Sequence, residues 1–150
     1  MITTIKLLGT QHEGVLAQLA AVGSAGGSAF AAFLAYLQGE VLHHFVVEEQ
    51  ALFPLLELHL PTAQGPLAVM NAEHADFRQL LADFATAVHT GSLEAQRRLT
   101  EDIITLLRGH IAKEDQVLFP MAERLLSSEE LDEVDRRTAA LGTFGSPADV

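Results

Sequence analysis

Along most of the chain, apolar residues recur three and four positions apart, the period of helices buried on one face. Leu and Ala dominate, and the alternating apolar–polar runs of half-buried strands are missing. Clustered breakers cut the pattern into segments. The first helix is predicted from Thr4 to Val22, with Thr3 or Thr4 as cap, and Gly23-Ser24-Ala25-Gly26-Gly27 ends it. A second, longer helix runs from Ser28 to Leu58. Pro54 lies inside its last turns and should kink or break it, because proline lacks an N–H and crowds the carbonyl four residues back. Pro61, Gly65 and Pro66 mark a loop, and Pro66 suits the first position of a third helix reaching His89. Thr90-Gly91 closes that helix, and the fourth spans Ser92 to Leu126 with Pro120 near its end. Ser127-Ser128-Glu129-Glu130 has a capping-box pattern, which predicts a short fifth helix ending near Gly142 and a frayed tail from Thr143 to Val150. Four main helices on short connections must pack antiparallel to their neighbours. The expected fold is therefore all-α: an up-down-up-down four-helix bundle over residues 1–126, with a short acidic helix and tail over 127–150.

Two stretches of this pattern align without gaps. His44-Phe-Val-Val-Glu48-Glu49-Gln-Ala-Leu-Phe-Pro54-Leu-Leu-Glu57 faces His110-Ile-Ala-Lys-Glu114-Asp115-Gln-Val-Leu-Phe-Pro120-Met-Ala-Glu123. They share His, Glu, Gln, Leu-Phe-Pro and a final Glu, and the first Glu is followed by an acid in both. Upstream of each stands one further histidine, in Gln11-His12-Glu13 and in Glu73-His74-Ala75-Asp76. The chain reads as two copies of a helical hairpin. Each copy offers one histidine on its first helix and a His-x-x-x-Glu pair on its second.

Residues four apart on a helix share a face, so such a pair can reach one metal. In a bundle, inward-facing ligands from separate helices converge on one point. His12, His44, Glu48, His74, His110 and Glu114 thus supply four imidazoles and two carboxylates, and the repeat predicts two metals with the glutamates between them. A single His-x-x-x-Glu is usually a solvated surface pair. Two copies in a repeated hairpin are a different matter, because six polar groups at one depth of a core would be costly to desolvate without a metal. Leu16, Leu37, Phe45, Leu52, Phe77, Leu81, Leu107 and Ile111 are expected to surround the site. Mixed imidazole and carboxylate ligation suits iron or manganese, does not exclude zinc, and disfavours magnesium. His43 is rotated about 100° from His44 and should face another helix or solvent. His59 and His89 fall near helix ends and should be exposed, and Tyr36 and Glu40 are candidates to orient a ligand from behind.

The absence of cysteine excludes disulfides, thiolate zinc sites, iron–sulfur clusters and cysteine nucleophiles, and fits a reducing, cytoplasmic setting. Net charge is −11 with no Lys/Arg cluster, which argues against nucleic acid or anionic membrane as partners. The N-terminus lacks a signal-peptide pattern, and no apolar run reaches membrane-spanning length without a charge or histidine. The acids of the fifth helix could dock a protein partner, although such runs are more often solvated faces.

In its ordered set of His12, His44-x-x-x-Glu48, His74, His110-x-x-x-Glu114 and a Leu-Phe-Pro after each pair, the chain resembles the hemerythrin-like, or HHE cation-binding, family over residues 3–126. The resemblance implies a four-helix bundle with a non-haem di-iron centre, bridged by two carboxylates and an oxygen ligand. Oxygen carriers of that family have a His-x-x-x-His pair on the third helix; here the positions flanking His74 by four are Met70 and Arg78. They also use His-x-x-x-x-Asp on the fourth helix, which His110 and Asp115 would match, whereas the internal repeat favours Glu114. Related iron-centre repair proteins carry cysteine, and this chain has none. The resemblance therefore implies a module that binds or senses dioxygen, nitric oxide or iron. Alternatively, it implies a redox enzyme that decomposes peroxide or oxidises ferrous iron.

Overall fold

The computed structural model describes residues 3–25 and 27–142, and every element in it is helical. Helix α1 is Thr4–Ala25, α2 is Gly27–Leu56, α3 is Pro66–Thr90, α4 spans 93–125 and α5 is Ser128–Leu141. Helix α1 continues one turn past its predicted end at Val22, since Gly23 is tolerated inside a helix whose other faces are packed. The predicted tail from Thr143 to Val150 lies outside the described residues.

The prolines act differently from expectation. Helix α2 runs through Pro54, and α4 runs through Pro120. Each proline is preceded by a widened turn, Glu48–Leu52 and Glu114–Leu118, closed by bonds from Phe53 N to Glu48 O and from Phe119 N to Glu114 O. These five-residue bonds absorb the donor that proline lacks and relieve the clash of its ring. A third widened turn, Leu37–Val41, contains no proline.

Two apolar clusters divide the interior. One joins Val15, Leu19, Phe30, Phe33, Phe45, Phe77, Phe84, Ile103 and Leu107; the other joins Ile5, Leu8, Leu52, Phe53, Leu56, Leu67, Met70, Leu118 and Phe119. Along α1 and α3 the second cluster is met first, and along α2 and α4 it is met last. Between the clusters, each of these helices contributes a buried polar residue: His12, His44 with Glu48, His74, and His110 with Glu114. Helix α2 is long and apolar enough to cross a membrane by length and composition alone, but its buried face carries that polar layer.

Short devices fix the ends. Ser127 and Glu130 form the expected reciprocal cap, Glu130 N to Ser127 Oγ at 3.1 Å and Ser127 N to Glu130 Oε1 at 2.9 Å. Helix α5 then packs Val134 into the second cluster and sets Asp135 Oδ1 2.8 Å from Thr4 N, a carboxylate on the positive end of α1. Gly91 ends α3 with φ +76°, and Ser92 N reaches back to Ala87 O at 3.1 Å. Replacing Gly91 with alanine should cost about 1 kcal/mol and lower the melting temperature by about 2–4 °C, measured by thermal unfolding.

Candidate metal centre

All six residues singled out from the repeat converge. His12, His44, His74 and His110 are 5% exposed or less, and Glu48 and Glu114 are fully buried. Ligand-capable atoms of His12, His44, Glu48 and Glu114 lie within 4.8 Å of one another, as do those of Glu48, His74 and His110. The histidines thus pair by hairpin, His12 with His44 and His74 with His110, and Glu48 belongs to both groups. Glu114 Oε1 stands 3.1 Å from His12 Nε2, 3.4 Å from His110 Nε2 and 3.8 Å from His44 Nε2. Glu48 Oε1 stands 3.1 Å from His74 Nε2, and Glu48 Oε2 stands 3.4 Å from His44 Nε2.

Every Nδ1 is engaged on the outside. His12 Nδ1 meets Asp115 Oδ1 at 2.7 Å, His44 Nδ1 meets Gln11 Oε1 at 2.8 Å, His74 Nδ1 meets Glu49 Oε2 at 2.7 Å, and His110 Nδ1 meets Glu73 Oε1 at 2.9 Å. Oxygen acceptors there place a proton on Nδ1, which leaves each Nε2, once free of any proton of its own, to offer a lone pair inward to a metal. Two of these contacts stay within a hairpin, Gln11 to His44 and Glu73 to His110. The other two cross between hairpins, Glu49 to His74 and Asp115 to His12. Aromatic faces repeat the crossing: Phe119 stacks on His12 with centroids 5.4 Å apart, and Phe53 stacks on His74 at 5.6 Å. Phe45 also lies flat on His74, 3.8 Å away.

Of these outer residues the sequence singles out only Asp115, as an alternative fourth-helix ligand, although the repeat displays all four. The acid after each glutamate and the residue before each upstream histidine are the hydrogen-bond partners, and the phenylalanine of each Leu-Phe-Pro is the stacking ring. Tyr36 and Glu40 do not take the orienting role considered for them: Glu40 is exposed, Tyr36 is half-buried, and among the described residues neither is the hydrogen-bond partner of a ligand imidazole. Leu16 is another correction, being 38% exposed on the outer side of α1. His43 turns away from the centre to Gly142 O at 3.0 Å, and His59 pairs with Glu130 at 2.9 Å. Met70 packs in the second cluster, and Arg78 grips Glu49 through two bonds of 2.7 and 2.8 Å. Of the two positions that flank His74 by four, Arg78 thus braces the outer partner of His74.

Burial and the adjoining Glu114 push the Glu48 carboxyl well above the usual carboxylate range. Burial also works to raise Glu114, but contacts with Glu48, His110, His12 and His44 overcome it and hold that carboxyl well below. Burial drives His74 down to about 4. It opposes the His110 cation too, yet Glu114 and Glu48 hold His110 up at about 10. Glu48 Oε2, Glu114 Oε2 and His110 Nε2 are buried without a hydrogen-bond partner. Orphaned groups of this kind cost several kcal/mol unless a cation completes them, so the donor set fits a metal. Metal uptake must displace the His110 proton, and that of Glu48 where it is present. Both groups have raised pKa values, so the protons are held in the metal-free protein and lost on binding. Apparent affinity should therefore rise about tenfold per pH unit for each proton released, up to the His110 pKa. Titrations with metal between about pH 6 and about pH 8 would check the slope; a flat profile would contradict it.

Two cavities border the centre. One of about 10 Å³, with room for about one water-sized molecule, is lined by His12, His44, His110, Phe45, Leu107 and Ile111, among others. The other, of about 610 Å³, opens between α1, α2 and α5 and includes Gln11, Glu40, His43 and Asp132 in its wall.

A helical bundle with a buried histidine–carboxylate layer defines a metal-binding protein. The chain matches the family described as the Hemerythrin HHE cation binding domain over residues 3–122, and it belongs to that family. It is 33% identical over 101 residues to the "Iron-sulfur cluster repair protein YtfE" of Enterobacter sp. (strain 638), an alignment covering 61% of this chain and 46% of that protein. The protein of the same name from Citrobacter koseri is 32% identical over 101 residues, with the same coverage of 61% and 46%. That from Escherichia coli (strain K12 / DH10B) is 30% identical over 99 residues, covering 60% and 45%. The chain spans about half the length of these curated relatives. No solved structure matches it.

Proposed function

We propose that the chain is a non-haem di-iron protein that binds dioxygen or nitric oxide. In this reading His12 and His44 hold one iron, His74 and His110 hold the other, and Glu48 and Glu114 lie between them. The observation that carries it is the arrangement of the six residues: four outward Nδ1 atoms are engaged, and the inward Nε2 and carboxylate atoms converge with three of them unpartnered. Iron is favoured by the ligand types, by the family and by the printed names of the relatives. Manganese and zinc are the competing occupants. Iron supplies reversible electron transfer to a small ligand. The protein supplies imidazole orientation, apolar surroundings and a small cavity of about 10 Å³ beside His12, His44 and His110.

The reversed order of the two apolar clusters along successive helices supports an up-down-up-down bundle. Residues 1–126 are proposed as the metal-binding unit and 127–150 as an added acidic helix and tail, in a cytoplasmic setting. Iron–sulfur cluster repair is the printed role of proteins that this chain matches over less than half their length, and the proposal here is confined to small-ligand binding.

Anaerobic reconstitution with ferrous iron should give about two irons per chain by metal analysis. Addition of nitric oxide or dioxygen should change the visible spectrum. With Met70 and Arg78 flanking His74 in place of another histidine, the dioxygen spectrum should decay rather than persist for hours. One iron or none per chain would defeat the reading. Sustained turnover of peroxide would replace ligand binding with the redox-enzyme alternative.

A further inference from the structure

The outer partners of the four imidazoles are alike at three positions and different at one. His12, His74 and His110 give their Nδ1 protons to the carboxylates of Asp115, Glu49 and Glu73, whereas His44 gives its proton to the neutral amide oxygen of Gln11 at 2.8 Å. Gln11 is the repeat counterpart of Glu73, since each directly precedes the upstream histidine of its hairpin. Ligation through Nε2 fixes the Nδ1 proton of His44, and that fixes the Gln11 amide with its oxygen toward the ring. A carboxylate acceptor draws the Nδ1 proton outward and makes Nε2 a stronger donor to a metal; an uncharged amide does so far less. Two of the carboxylates are themselves braced, Glu49 by Arg78 and Glu73 by Lys113. Gln11 has no such brace among the described residues, and it faces the open cavity between α1, α2 and α5.

We infer that the two metal positions are unequal: the ion held by His44 is the labile one, and Gln11 is the positioning residue that makes it so. This rests on the dinuclear reading above. Asp115 does not offset the difference, because it acts on His12 and leaves the His44 bond weak; its own side chain is 43% exposed.

The test follows iron release from anaerobically loaded protein into a chromogenic ferrous chelator. The wild-type chain should release its two irons in two phases of equal amplitude, about tenfold apart in rate, the scale on which such outer partners act. Q11E should slow the fast phase about tenfold and merge it with the slow one. E73Q should do the reverse, turning the slow phase fast. A glutamine with a merely structural role would give Q11E faster release or an unchanged profile, and either result overturns the inference. So does a single phase from wild-type protein that holds two irons. Wild-type protein that binds fewer than two irons would instead bring down the dinuclear reading on which the inference stands.

Discussion

Glu114→Ala should strip the chain of most of its metal. Glu114 is fully buried and lies within 3.8 Å of Nε2 atoms from both histidine pairs, so its loss removes a carboxylate that approaches His12, His44 and His110 at once. Iron content after reconstitution should fall from about two per chain toward none, which is the behaviour of a lost ligand. Asp115→Ala removes only the outer partner of His12, and it should weaken affinity about 10- to 100-fold while leaving both ions bound at saturating metal. The metal-free Glu114→Ala protein should melt below the metal-free wild type, because the buried His110 cation loses a carboxylate that faces it. Far-UV circular dichroism below the melting transition should still show the wild-type helix content, which separates loss of a ligand from loss of the fold. Should Asp115→Ala lose its iron while Glu114→Ala retains it, the fourth-helix carboxylate would be Asp115.

Removing metal from the wild-type chain should have the second large effect. Six ionisable groups share one buried layer, and in the metal-free protein three of their polar atoms lack a partner. A ligand present at about a thousand times its dissociation constant stabilises the folded state by about 4 kcal/mol. For a chain of this size, that shifts the melting temperature by about 8–16 °C. Calorimetry before and after chelation, with manganese and zinc added back alongside iron, would measure the shift and rank the metals. A melting temperature indifferent to chelation would mean that the layer is satisfied without a cation.

Apolar spacing and clustered breakers make the helices legible in the sequence, and the hairpin repeat does the same for the six inward residues. Four-residue spacing fixes a shared face, and a doubled motif is hard to explain by chance. What lay beyond the sequence was mostly contact at a distance. The acid after each glutamate was visible in both repeats, but Asp115 serves a histidine 103 positions away, on the other hairpin. Nothing local points Phe119 toward His12 either. Asp135 capping Thr4 is equally remote, 131 positions away, so the fifth helix could be predicted but its place on α1 could not. The prolines misled for a local reason: a helix can take up the missing donor by widening one turn, and the rule that proline breaks helices does not anticipate that. Leu16 misled because one residue of helical phase separates the packed stripe from the exposed edge.

The crossed contacts at the outer edge of the centre have a consequence for how the molecule can be divided. Helix α2 supplies the hydrogen bond and the stacking ring that steady His74, and α4 does the same for His12. Neither hairpin, taken alone, keeps its own first-helix histidine in place. Two half-chains made by cutting the loop before α3 would each carry three of the six ligands yet hold one of their histidines loose. Their affinity for metal and their affinity for each other would then be one quantity, and metal would act as the clasp that decides whether the halves meet.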